Sequence, residues 1–539
     1  PPESVISERY LRQIDNTVRR LTLKQVIYIA LKNNPSVQAI ELSPVGSTEA
    51  VRSANAAFDP DLQATADQIK SVTPATTALE SSGSALSTKN YDWNFTLTKI
   101  SALTNGTLSA TFNNTRQISN NLTSTINPSY SSNLNVSLSQ PLLRNFGWGF
   151  ATINVRLAES AQKQAQWSMA QNLMNFVQRV GNDYWGLVLA AENLEVAREA
   201  LKFNGDLVRD NRISVHVGTL APLDLQEAQS AEATAASNVY TAEAQLKTAR
   251  VALREDVMLN PRHAFLPQII IPADQPNPQM RIDQDETRAL EIAVLYQPTL
   301  GGLREAIRQS LMQVKFQQNQ LLPQFNVQAQ IGNNALAGNV LCSSTFGNSA
   351  LANCFNAALP VIPGQIVNGV ELPFKGTYST VLNHLFNFGF YNYAVVLSFE
   401  RPIDNASARS ALAQARVAFA QSRMQYRASL SQVVVEVENS LANLHADLQR
   451  VQATKQATYY AREALHDEEV RFRVGLATTH DLLQYQEELV TAEGNEVQAD
   501  VDLQNAVLAL EQAKGTLLIA FNIHFQLQSP HETPWYAAF

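Results

Sequence analysis

At 539 residues the chain is long enough for several compact domains or for one very elongated one. Charged residues reach only 16% against 45% hydrophobic, with Asn, Gln, Ser and Thr standing where charge would be, and the formal net charge is −8. That balance, without any Lys/Arg-rich run, argues against nucleic acid as a partner, and no stretch of about 18 apolar residues offers a transmembrane helix.

The chain opens at Pro1 with neither Met nor an apolar signal core, which reads as a mature or trimmed form. Leu31-Lys32-Asn33-Asn34-Pro35 ends a first helix-like stretch, and Phe58-Asp59-Pro60-Asp61-Leu62 follows it. Alternating segments come next, around Leu62–Ile69, Tyr91–Lys99, Thr107–Asn113 and Asn133–Gln140. Period-two alternation puts one face against something apolar and the other in water, which a soluble sandwich and a lipid-facing barrel with a wet lumen both satisfy. The polar connections 71–90 and 117–130 read as long loops.

From Leu142 to Ala221 there is no proline, so one very long helix is expected, ending at Val217-Gly218-Thr219-Leu220, with a return helix over Leu223–Asn260. The second half repeats this order. Val294-Leu295-Tyr296-Gln297-Pro298 precedes Leu321-Leu322-Pro323-Gln324-Phe325, and Phe325, Val327, Ala329 and Ile331 alternate with polar residues. The segment 332–385 reads as a polar loop, and Phe386, Phe388, Phe390, Tyr391 and Tyr393 cluster at one end of the next strand. Such a cluster suits an aromatic girdle at a membrane interface or a plain hydrophobic core. From Asn405 to Val474 there is neither proline nor glycine; seventy helical residues would span roughly 105 Å at about 1.5 Å each. The turn Val474-Gly475-Leu476-Ala477-Thr478 leads into a last long helix ending near Lys514.

These landmarks keep their order at offsets of 263 and 257 residues, and Ser139-Gln140-Pro141-Leu142 answers Glu400-Arg401-Pro402-Ile403 at 261, so the chain reads as a tandem duplication. The expected organisation is a first repeat over 1–260, with strands about 61–141 and a helix hairpin about 142–260. A linker over 261–285 leads to a second repeat over 286–520, with strands about 324–402 and a hairpin about 403–518, and a tail over 521–539. The only cysteines, Cys342 and Cys354, lie in one Gly/Asn/Ser-rich stretch and read as a disulfide formed in an oxidising compartment. No phosphate-binding loop, nucleophile elbow or His/Glu metal pair is legible, so neither catalysis nor a cofactor is expected. His216 and His480 read as polar residues at exposed tips.

The chain resembles the TolC-like outer-membrane efflux family. The resemblance rests on Leu21-Thr22-Leu23 with Asn34-Pro35, on Gln140-Pro141-Leu142-Leu143-Arg144, and above all on the segments Arg212–Gln229 and Arg471–Gln486 around the Val-Gly turns. It implies an α+β membrane protein: a homotrimer whose strands share one β-barrel in outer-membrane lipid, continued by an α-helical coiled-coil barrel into the periplasm. It implies an efflux or secretion duct whose turns, Val217 to Leu220 and Val474 to Thr478, dock a periplasmic adaptor that couples it to an inner-membrane transporter.

By the same resemblance Asp224 and Asp481 stand where the family places acidic lumenal residues, with Glu227 and Gln484 three residues beyond. N-capping of the returning helices is the alternative reading for both aspartates. Phe472 and Ala477 occupy the places of a Tyr and an Arg that latch the closed state in the family, so that latch is not expected here. The competing reading of the whole chain is a secreted or periplasmic coiled-coil stalk, structural or adhesive, without transport activity.

Overall fold

The computed structural model describes residues 18–75, 85–121, 124, 126–257, 269–276, 285–340, 366–367, 370–371 and 374–523. Helix dominates, with one large sheet. Cα packing divides the chain into two compact units: Pro1–Glu49, Ser160–Gln309 and Ala420–Phe539 form one, and Ala50–Glu159 with Ser310–Phe419 form the other.

The first half runs β1 (Val18–Leu21), α1 (Leu23–Asn33), α2 (Pro35–Ala56), β2 (Asp61–Pro74), β3 (Ala85–Ile100), β4 (Thr107–Ser119), β5 (Ile126–Pro141), α3 (Ile153–His216) and α4 (Pro222–Val257). After β6 (Ile269–Pro272), the second half runs α5 (Glu286–Tyr296), α6 (Pro298–Gln320), β7 (Gln324–Val340), α7 (Tyr378–Phe386), β8 (Tyr391–Glu400), α8 (Ala406–Arg473) and α9 (Thr479–Ala513). Pro35, Pro222 and Pro298 each open a helix, where the missing N–H has no intrahelical partner to lose. Thr22 and Gln25 close a capping box at the start of α1.

In the unit holding both helix turns, β1 pairs in parallel with β6. Tyr184 of α3 locks that pair. Its buried hydroxyl donates to Leu21 O at 3.0 Å and accepts from the Ala273 and Asp274 amides at 3.2 and 3.1 Å. Burial pushes the phenol up to about 12, so it remains a donor at any physiological pH. One apolar cluster surrounds this lock, with Ile27, Leu173, Leu187, Leu253 and Leu517 fully buried; a second joins Leu300, Val437, Leu444, Leu503 and Leu510.

The other unit carries a six-stranded antiparallel sheet in the order β8-β7-β5-β4-β3-β2. Its register aligns Leu62, Leu97, Ala110, Val136, Ile331 and Tyr393 on one rung of a single face. The opposite face is polar, with Asn94, Asn113, Asn133 and Asn334 on one rung. Both edge strands are open to solvent, and every residue of β2 is exposed.

The strands are longer than the alternation indicated. β2 continues to Pro74, β3 starts at Ala85, and β5 starts at Ile126. β7 runs to Val340, so 332–340 is strand and not loop. The Asn/Gly/Ala composition hid it, yet small side chains are what this segment requires. Helix α7 packs there, burying Val381 and Leu385 against Ala335 and Ala337. Tyr378 of that helix donates to Asn114 Oδ1 at 2.8 Å and accepts from Trp93 Nε1 at 3.3 Å, while Ser132 Oγ donates to the same Asn114 oxygen at 2.6 Å. Phe386, Phe388, Phe390, Tyr391 and Tyr393 all remain exposed, which excludes the reading of this cluster as core in the single chain. Cys342 and Cys354 lie outside the described residues. Among the described residues no helix is long and apolar enough to cross a membrane.

Candidate functional site at the helix turns

The two turns are built alike. At the end of α3, the Gly218 amide donates to Val215 O at 3.1 Å and the Thr219 amide to Ser214 O at 2.9 Å. At the end of α8, the Gly475 amide donates to Phe472 O at 3.0 Å and the Leu476 amide to Arg471 O at 2.8 Å. This paired pattern is the Schellman motif, which needs a left-handed residue after the helix; Gly218 has φ of 82° and Gly475 of 78°. A Cβ at either glycine would meet nothing within 4 Å, so the requirement is conformational and not steric crowding.

Around both turns apolar side chains face water. Val217, Leu223, Val474 and Leu476 are all more than 60% exposed. Thr219 folds back, its hydroxyl donating to Ser214 O at 3.0 Å, whereas Leu220 and Ala477 are half-buried. Behind the turns Leu207, Val208, Ala228, Leu465, Leu482 and Leu489 form a compact apolar plug, with Phe472 packed against it. Phe472 therefore serves the core of the tip, a role available to an aromatic ring without a hydroxyl.

The two aspartates differ. Asp481 closes a capping box with Thr478, accepting from the Thr478 amide at 3.0 Å and hydroxyl at 2.7 Å, while its own amide donates to Thr478 Oγ1 at 3.2 Å. Those hydrogen bonds, the side-chain one foremost, hold its carboxyl below the ordinary Asp range. Asp224 lies in the first turn of α4, and its carboxylate makes no hydrogen bond or ion pair among the described residues. Glu227 lies one turn further along α4, and Gln484 donates to Glu488 at 3.0 Å along α9.

Asn211, almost wholly buried on α3, donates to Asp224 O at 3.3 Å and to Thr479 Oγ1 at 3.1 Å, so one amide joins the starts of α4 and α9. Sequence reading passed over both Asn211 and Thr479. The capping box was readable as Thr478-Thr479-His480-Asp481, a Thr followed three residues later by an acid, but a buried Asn in a polar helix has no such signature. Among the described residues no His, Cys, Asp or Glu grouping could hold a metal ion.

A family model described as outer membrane efflux protein matches residues 99–256 and 290–516, well over half of the chain. The chain belongs to the outer membrane efflux protein family. Both turns, with Asp224, Glu227, Asp481 and Gln484, fall inside the matched segments of this efflux protein, while β2 and nearly all of β3 precede them. Its fold is shared with solved outer-membrane channels. CmeC of Campylobacter jejuni is 13% identical with a TM-score of 0.62, over 92% of this chain and 86% of that one. VceC of Vibrio cholerae is 19% identical with a TM-score of 0.59, over 94% and 97%. MtrE of Neisseria gonorrhoeae, solved in an open state, is 15% identical with a TM-score of 0.58, over 94% and 91%. At such identities the likeness concerns the fold. A comparison with curated protein sequences gave no match.

Proposed function

We propose that three copies of this outer membrane efflux protein form one duct, a β-barrel in the outer membrane continued by helices into the periplasm, through which an inner-membrane transporter expels its substrate. The sheet supports the barrel. Its open edges, β2 and β8, carry unpaired backbone groups that lipid would not tolerate, and neighbouring copies would pair them. Three sheets of six strands make eighteen, a size at which β-barrels keep an aqueous lumen. The matching element order of the two halves supports a tandem duplication.

The observation that carries the docking assignment is the pair of identically built turns with Val217, Val474 and Leu476 exposed around them. Exposed apolar groups on a rigid reversal favour a protein partner, here a periplasmic adaptor. Asp224, with Glu227 beside it, is the better candidate for a lumenal carboxylate, since Asp481 is engaged as a cap. The stalk reading is disfavoured by the family match and by a sheet whose apolar face is unpartnered over most of its strands.

The deciding experiment extracts the protein from outer-membrane fractions with detergent and tests it in planar bilayers. Heat-resistant trimers that conduct ions, and cysteines at Val217 or Leu476 that crosslink to an adaptor in cells, are the expected results. A protein released without detergent, or one that leaves bilayers silent, would overturn the duct. Crosslinks absent from the turns but present elsewhere would overturn the docking assignment.

A further inference from the structure

The sheet sorts its charges completely by face. Register places Lys70, Lys89, Lys99 and Arg116 on the apolar face with Leu62, Phe95 and Phe112. It places Asp61, Asp67, Asp92 and Glu400 on the opposite, polar face. Across β2, β3, β4, β5, β7 and β8 no acid stands on the apolar face and no base on the polar one. Lys99 sits at the end of β3 nearest the helices, and the other three cations gather toward the far end.

Two features of those three ask for an anion. Lys70 and Lys89 are direct cross-strand partners, an arrangement of like charges that disfavours the pairing. No ion pair relieves any of the three among the described residues. Arg116, one rung nearer the apolar band and paired with Tyr91, has its Nε buried without an acceptor among the described residues. Aromatic rings hold two of the three in place: Lys89 Nζ lies 4.8 Å from the Tyr91 centroid, and the Arg116 guanidinium 5.5 Å from Tyr91 and 5.8 Å from Tyr130. Trp93 and Phe95 continue the same face of β3 below them.

We infer that Lys70, Lys89 and Arg116 form a binding site for the phosphate of a phosphorylated lipid in the outer leaflet. The assignment rests on the duct reading, which turns the apolar face toward lipid and the loop end of the strands outward. Strand rise of about 3.3 Å per residue sets Lys89 roughly 13 Å beyond Trp93, past the aromatic level and at head-group depth. A cation there costs little when it meets an anion, and Arg with Lys is the pairing suited to phosphate. The ligand is a lipid and not free phosphate because the cations share their face with an exposed, acyl-compatible surface, Ala66, Phe95 and Leu97, beside the patch that helix α7 covers. β2 and almost all of β3 precede the family-matched segments, so Lys70 and Lys89 lie outside them and Arg116 lies within.

The test measures phosphorylated lipid retained per chain after detergent extraction of the full-length protein, by mass spectrometry. Wild type should retain it, and the Lys70→Gln/Lys89→Gln/Arg116→Gln variant should retain at least tenfold less, while Lys99→Gln matches wild type. Lys70→Gln alone, at an exposed position, should lower retention severalfold and decides the matter if the triple variant does not fold. Equal retention by wild type and variants overturns the site, as does equal retention of the dephosphorylated lipid. Displacement of the lipid by millimolar inorganic phosphate overturns the lipid assignment. A variant that loses the lipid yet still conducts separates this site from the duct; a wild type that neither resides in the outer membrane nor conducts overturns both.

Discussion

Asn211 Nδ2 lies 3.1 Å from Thr479 Oγ1 and 3.3 Å from Asp224 O, so a single amide on α3 satisfies one oxygen from each of the two returning helices. Both Asn211 and Thr479 are buried, so the amide and the Thr479 hydroxyl have no water to fall back on. Removing one partner strands the other, which costs about 1–3 kcal/mol for a neutral buried group. Asn211→Ala should therefore lower the stability of the tip by about that amount. Hydrogen exchange should rise at 218–224 and 475–481 and stay unchanged in the sheet.

Substitution at the turn glycines should follow backbone preference and not size. Gly218 and Gly475 have left-handed φ with open space where a Cβ would stand. Asn, which tolerates that region, should support efflux, while Val should cost roughly 1–2 kcal/mol per turn and abolish it. Trimers on gels should persist in both. Loss of trimers with Val would mean the turns act in folding instead of docking.

The two aspartates should separate. Asp224→Asn is expected to reduce cation selectivity in bilayers and leave thermal stability unchanged, since that carboxylate has no partner to lose among the described residues. Asp481→Asn should do the reverse, loosening the start of α9 with little effect on selectivity. The Asp481 carboxyl is held below its ordinary range, so its contribution is present at neutral pH and disappears as pH falls through the folded value. Unchanged selectivity in Asp224→Asn would move the constriction elsewhere.

Asp183 on α3 supplies a pH dependence of the opposite sign. Burial, then the hydrogen bond and charge of Asp256, raise its carboxyl from 3.8 to about 6. The folded protein thus binds more protons than the unfolded chain between those values, and stability falls as pH rises through that window. Asp183→Asn should raise the Tm at pH 7, and the difference should close near pH 4. Equal melting of the two proteins at pH 7 would remove Asp183 as the source.

What the sequence disclosed follows from what each element needs. Uninterrupted helices of 64 and 68 residues are announced by missing prolines, and strand faces by strict alternation around Leu97, Val136 and Val327. The Schellman glycines were legible because glycine takes positive φ without Cβ strain and is the usual residue after a helix that ends this way. The far half of β7 was not, because Asn333, Ala335 and Ala337 answer to a helix whose position no local pattern encodes. Asn211 escaped for the same reason. Its acceptors lie 13 and 268 residues away, and composition does not rank one buried Asn above the many exposed ones.

The uncapped edges of the six-stranded sheet bear on how the protein reaches its destination. A newly made chain carries β2 and β8 with nothing beside them, and in hydrocarbon a solitary copy would forfeit a row of hydrogen bonds along each. In the proposed duct, insertion and oligomerisation would be one event, and its rate should climb steeply with the number of chains waiting at the bilayer. Until that number is met, the same strands are adhesive toward any other extended chain. On the duct reading, delivery would call for a holding factor that keeps copies apart in transit and releases them together.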